Sequence, residues 1–403
     1  MKQNRIFQKI SFLLIFGLLL SSFQTAWASP TRSVDSQFRH SSVFLSGVGD
    51  DPISESQNHE GEIIASVKKY FEARYQNLIG LKDENYINSF ISNDQSDPSW
   101  IQLEGLRSKT IGKINSSFYL PYEEYEIDLS FSEISIDGSS ATVFLNENGL
   151  VTFKDPTILP VELSEISHKM LLIDDGTGWR IINDNYQDAF TFQIEGRSED
   201  EIFSTIEGNI VNQKREVEIF PPQDYTAPPS NFINLTYNRT AAVNYANTWK
   251  NGVNPSFWQE SQDCTNFVSQ AVYAGTNQVM STPNDYYNKW YFDSYTKSGS
   301  FPWINVGGFY SFLTSNTGRG PIGYSSGSYL CYLSGGDVVV MQYTSGGWRH
   351  AVLVTALTGS CHDYTKIQVA SHSPFGSYNL AYFSPSNFFI CFFIFPTDLP
   401  LNL

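Results

Sequence analysis

The sequence predicts an α+β fold, and three observations carry that prediction. A helical apolar period runs from Glu62, a two-residue alternation follows it through two hairpins, and a cysteine-bearing helix precedes apolar strands in the last third. The apolar residues Ile63, Ile64, Val67, Tyr70, Phe71, Tyr75 and Leu78 recur every three to four positions, which is one face of a helix. From Tyr125 the period becomes two: Tyr125, Ile127, Leu129 and Phe131 alternate with charged or small residues. The chain turns at Asp137-Gly138 and resumes with Ala141, Val143 and Leu145, the pattern of an antiparallel hairpin. A second hairpin is expected over 168–186, turning at Asp175-Gly176. One helix followed by a curved antiparallel sheet is an α+β roll. His168 and Asp184 are expected on a solvated strand face of it, with a pocket lining as the alternative.

The first 28 residues carry Lys2, Arg5 and Lys9, an apolar run from Ile10 to Leu20, and the small-residue signal Ala26-Trp27-Ala28. The run is too short for a membrane span, so it reads as a secretory leader cleaved after Ala28, with no transmembrane anchor. Residues 29–58 read as a linker and 59–195 as the roll. Residues 196–235, with a short helix over 198–218 and four prolines in "FPPQDYTAPPSNF", read as a second linker, and 236–403 as a C-terminal domain. Across 403 residues the composition is 41% hydrophobic and 15% aromatic, which fits packed cores, and the net charge of −16 argues against nucleic acid and against electrostatic docking on an anionic membrane or wall. Export permits disulfides, so Cys331, Cys361 and Cys391 can supply one bridge with a thiol left over; the pairing stays open. Oligomeric state stays open as well.

In "SQDCTNFVSQAVYAG" the apolar residues after Cys264 fall at helical spacing, so 264–275 is predicted as a helix capped by Ser261 or Asp263. Cys264 then sits in the first turn, where free backbone N–H groups favour a thiolate and can hold an oxyanion. Asp263 and Thr265 flank it as orienting or oxyanion candidates. Downstream, a strand over 337–343 and a glycine turn over 345–347 lead to His350, which opens a second strand and is expected to face a cleft. A third strand, "KIQVASH", ends at His372 after a turn carrying Cys361 and His362. A helix with Cys, a strand with His and a third polar residue on the next strand form the papain-type arrangement.

Two competing motifs are weaker. "GYSSG" at 323–327 satisfies G-x-S-x-G, but loop-like sequence surrounds it where a strand and a helix are required. A zinc site built from Cys264, His350, His362 and His372 lacks any short-range ligand pair, so neither metal nor cofactor is called for. The aromatic stretch "YYNKWYFDSYTKSGSFPW", 286–303, reads equally as a cleft wall and as a packed surface loop. "NFFICFFIFP", 387–396, reads as a buried strand.

The segments "DCTNFVSQAVYAG", "GGDVVV", "HAVLVT" and "VASH", with the lead-in "YNRTAAVNYANTWKNGVNPSFW", resemble the bacterial putative amidase domain family of secreted papain-like cysteine hydrolases related to NlpC-type peptidases. The resemblance covers about 236–385. It implies a papain-like domain with nucleophile Cys264, base His350 and orienting residue His372, acting on a peptide or amide bond of peptidoglycan. Where that family leads one to expect an Asp soon after the last His, this chain has "SHSPFGSYN". The first region resembles, in pattern, the cystatin-like or nuclear-transport-factor-like rolls. A protein that only binds a wall or a partner through the roll is the alternative.

Overall fold

The structure is a computed structural model that describes residues 55–83, 85–92, 94–219, 237–343, 345–360 and 362–397. The leader, most of the first linker and the proline-rich stretch before 236 lie outside the described residues. The fold is α+β.

The helix expected from Glu62 is α1 (Glu55–Leu78), and it is followed by α2 (Pro98–Phe118). The sequence pattern did not announce α2, because its buried face mixes Trp100, Ile111 and Ile114 with Glu104 and Arg107. Its start is explicit: the Asp97 side chain accepts from the Ser99 N–H, and Pro98 occupies the first turn. The two hairpins are β1 (Tyr122–Asp137) with β2 (Ser140–Phe153), and β3 (Val161–Asp174) with β4 (Trp179–Asn185). Ile63, Val67, Tyr70 and Phe71 of α1 pack on Val143, Leu145, Met170 and Leu172 of this sheet. The single-turn α3 (Thr191–Ile194) and α4 (Glu199–Ile219) follow; α4 lies where a helix was expected over 198–218.

Next come α5 (Arg239–Trp249), α6 (Cys264–Gly275), the two-residue strands β5 (Phe292–Asp293) and β6 (Ser298–Gly299), α7 (Phe301–Ile304) and α8 (Val306–Ser315). The strands β7 (Gly320–Gly327), β8 (Val338–Gln342), β9 (Trp348–Leu357), β10 (Ile367–Ser371), β11 (Phe375–Asn379) and β12 (Asn387–Thr397) complete the chain. Residues 323–327 belong to strand β7, which begins at Gly320, inside the preceding stretch expected to be loop-like.

All the strands from β1 to β4 and from β7 to β12 form one antiparallel sheet in the order β1-β2-β3-β11-β10-β9-β8-β12-β7, with β4 also on β3. The joint is β3. Its first residues pair with β11, as Glu162 with Ser377 and Ser164 with Phe375, and its later ones, from Lys169, pair with β4. Gly376 makes the joint possible. Its φ is +138°, and a Cβ there would lie 2.0 Å from the Glu162 carbonyl oxygen. The "SHSPFGSYN" stretch that departs from the family pattern is thus the strand that meets the N-terminal hairpins.

Side chains alternate across the sheet into two cores. Val338, Val340, Ala351, Leu353 and Ala370 join Cys264, Phe267 and Trp303. Val339, Met341, Val352, Val354 and Val369 join residues of the first half, among them Phe190, Phe192 and Val161.

Candidate active site

Helix α6 begins where predicted, and Asp263 is its N-cap residue. The Asp263 carboxylate does not cap the helix N–H groups. It accepts from the Glu260 N–H (2.8 Å) and the Asn266 side-chain amide (2.8 Å), and its other oxygen lies 2.6 Å from His372 Nδ1. The Asp263 N–H in turn donates to Ser373 Oγ at 3.0 Å. The start of α6 is thereby pinned to the end of β10. His372 is held tightly there: its ring lies between Phe267 (centroids 4.0 Å) and Phe375 (4.1 Å), and Nε2 donates to the Trp249 carbonyl at 2.7 Å.

Cys264 is the free cysteine among the described residues, and it is 5% exposed. Burial pushes its thiol above the ordinary value, against the pull of the Ala351 and Thr265 backbone N–H groups and the Thr265 hydroxyl, 3.7 Å away. The expectation of a thiolate favoured by the helix terminus is not met in this closed arrangement. Desolvation outweighs the N–H groups.

His350 stands elsewhere. It pairs across the sheet with Met341 and shares that residue's face, opposite to Ala351 and Cys264. Its ring packs on Phe192 (4.6 Å) and Phe383 (5.6 Å), and Nε2 lies 2.8 Å from Ser371 Oγ. Burial, with a smaller push from Arg349, lowers its pKa to about 3. The expectation that His350 faces a cleft is therefore corrected: it is a neutral, buried imidazole against α3, where Tyr343 and Arg349 both donate to the Phe192 carbonyl.

The structure ties His372 to Asp263, the chain neighbour of Cys264, and leaves His350 on the other face. His362 is also apart, with Nδ1 3.0 Å from the sulfur of Cys331, which is disulfide-bonded. Among the described residues no group of three His, Cys, Asp or Glu side chains is arranged to hold a metal ion. Ser325 of the GYSSG segment lies within β7, without the strand-to-helix turn that a nucleophile elbow needs. Sequence reasoning missed the Trp249 carbonyl and Ser371 as partners of the histidines. The alternation in "WRHAVLV" held part of the signal: it puts His350 and Ala351 on opposite faces, but not which face α6 covers.

Helix, buried cysteine and acid–imidazole pair lie within one stretch of chain that can be compared with known proteins. Residues 236–382 match the putative amidase domain family. The match suggests hydrolysis of a C–N bond, and the matched stretch contains Cys264, Asp263 and both His350 and His372. A stretch of 122 residues is 30% identical to YhbB, an uncharacterized protein of Bacillus subtilis, and spans 30% of this chain and 37% of that one. Among solved structures, a Kribbella flavida protein matches over 33% of this chain and 91% of its own at 12% identity and a TM-score of 0.24. A putative aromatic ring hydroxylase from Novosphingobium aromaticivorans matches over 31% and 87% at 14% identity and a TM-score of 0.23. Scores that low carry no argument about this fold.

Proposed function

We propose that the chain is a secreted cysteine hydrolase of papain-like type that cleaves an amide or peptide bond of peptidoglycan, with Cys264 as nucleophile and His372, oriented by Asp263, as its base. One observation carries the assignment of roles: a free cysteine opens a helix in the amidase domain, and the preceding residue holds a histidine against the same turn. In the reaction His372 first gives up to solvent the Nε2 proton it shares with the Trp249 carbonyl, and the freed Nε2 then takes the thiol proton as the sulfur attacks the amide carbon. The N–H groups at the start of α6 stabilise the oxyanion. Collapse breaks the C–N bond, His372 returns the proton to the leaving amine, and water then hydrolyses the thioester. In the closed arrangement Nε2 is bonded to the Trp249 carbonyl, so substrate entry has to exchange that bond for one to the thiol. The leader-like first 28 residues support export. Among the described residues no helix is long and apolar enough to cross a membrane.

The test is muropeptide analysis after the purified protein is incubated with isolated cell walls. New N-terminal alanines on intact stems identify an amidase, and shortened stems an endopeptidase. Cys264→Ala and His372→Ala should each abolish nearly all release, and the two losses should not add, because the pair acts as one unit. His350→Phe should retain most of it. A His350→Phe protein as inactive as Cys264→Ala, with its fold intact, would transfer the base to His350. Unchanged walls with the folded wild type would favour the binding role.

A further inference from the structure

The aromatic stretch 286–303 divides: Trp290, Phe292 and Trp303 pack in the core that holds Cys264, while Tyr287 and Phe301 build a groove away from it. Tyr287, Phe301 and Trp348 wall a groove of about 400 Å³ beside α7 and α8, within the size range of small-molecule sites. Gly307 and Gly308 line it too, and they let it exist. A Cβ on Gly307 would lie 2.6 Å from the Trp348 ring, and one on Gly308 would lie 2.8 Å from the Phe301 ring.

Trp290, Phe292 and Trp303 of the stretch turn inward, whereas Tyr287, on the groove, is 69% exposed. Its position is built and not left slack. The Asp285 carboxylate accepts from the N–H groups of Tyr287 (3.1 Å) and Asn288 (3.2 Å), and the Phe301 N–H donates to the Tyr286 carbonyl (2.9 Å). Trp348 is braced from behind by Tyr310, with centroids 4.5 Å apart.

The polar atoms narrow the ligand. The Asn288 amide nitrogen is taken by Asp285 at 2.9 Å, which leaves its oxygen to accept. The Asn305 oxygen takes the Gly308 N–H at 3.0 Å, which leaves its nitrogen to donate. Ser311 and Ser315 add hydroxyls at the rim. No lining side chain carries a charge at neutral pH, although the chain as a whole is at −16. A charged ligand would lose its hydration there and gain no counter-ion. A pyranose ring suits each feature: its polarised C–H face meets the electron-rich faces of the aromatic rings, and its hydroxyls both donate and accept.

We propose that this groove binds a neutral oligosaccharide. The site rests on α7, α8 and the 286–288 turn, and it stands or falls independently of the thiol chemistry. The full-length protein should be titrated with N-acetylglucosamine tetramer and with cellotetraose, by calorimetry and by tryptophan fluorescence. Saturable binding of at least one is expected. Tyr287→Ala removes one exposed stacking face and should weaken it about tenfold. Ser311→Tyr should fill the groove and abolish it, whereas Cys264→Ala should bind as the wild type does while releasing nothing from walls. Failure of both saccharides to bind the folded protein would overturn the proposal. So would affinities unchanged in both groove variants, or a short acidic peptide that competes for the groove more tightly than either saccharide.

Discussion

His168 and His350 are both buried on strands of the same sheet, and their surroundings push them in opposite directions. On β3, His168 loses hydration, but Asp184 at 2.9 Å and Glu147 at 3.0 Å outweigh that loss and raise its pKa to about 9. On β9, His350 has Phe192, Phe383 and a serine hydroxyl around it and no carboxylate, and its pKa falls to about 3. Burial alone does not say what a histidine does; the counter-charges inside the same core decide it. The contrast extends to whole regions. The core beside β3 and β4 is ionic: Arg107 bonds Asp188 at 2.7 Å, and Arg74 lies against Asp184, Asp188 and the ring of Tyr186. His168 and Asp184 belong to that network and not to a solvated face. The core around α6 is aromatic, with the Asp263–His372 pair set among its rings.

The largest effect should come from breaking the ionic core at its hub. Asp188 also accepts from the Phe190 and Thr191 N–H groups, so Asp188→Ala takes the carboxylate from Arg107 in the interior and leaves Arg74 with Asp184 alone. A loss of about 3–5 kcal/mol is expected in urea unfolding. A loss under about 1 kcal/mol would mean that water reaches the cluster.

The pH dependence sharpens the comparison directly. For His168 the folded pKa is raised, so its contribution is present below pH 6.5 and fades as pH rises through about 9. For His350 the folded pKa is lowered, so its contribution is present above pH 6.5 and fades as pH falls towards 3. Each arm is worth about 3 kcal/mol, the first between pH 6.5 and 9 and the second between pH 6.5 and 4. His350→Phe should flatten the acid arm and leave the alkaline arm alone, while His168→Phe should do the reverse. Stability profiles of both variants that run parallel to the wild type would break the contrast.

A smaller loss tests the joint between the regions. Gly376→Ala places a Cβ against the Glu162 carbonyl at a left-handed φ, and about 2 kcal/mol should be lost. An unchanged midpoint would show that β11 can move away from β3 at little cost. The smallest effect belongs to an exposed ion pair of the first region. Lys109 and Glu199 meet at 2.8 Å with both side chains more than 40% exposed, and Glu199→Gln should cost no more than about 0.5 kcal/mol.

Much of the local structure was legible in the residues themselves. The three-to-four period of α1, the alternation of β1 to β4 with its Asp-Gly turns, and α6 starting at Cys264 all follow from short-range rules. These are side-chain period, turn chemistry and capping, and they act within a few residues. Three matters were settled only by tertiary packing. Strand β11 took β3 as a neighbour, because Gly376 permits an approach that no local period announces. His350 turned away from Cys264, because the face of β9 that α6 covers is chosen by packing distant in sequence. The charged residues of α2 and β3 went inside, because carboxylates and guanidinium groups from four separate elements meet and neutralise one another there. A sequence displays each of those charges singly, and a single charge reads as solvated.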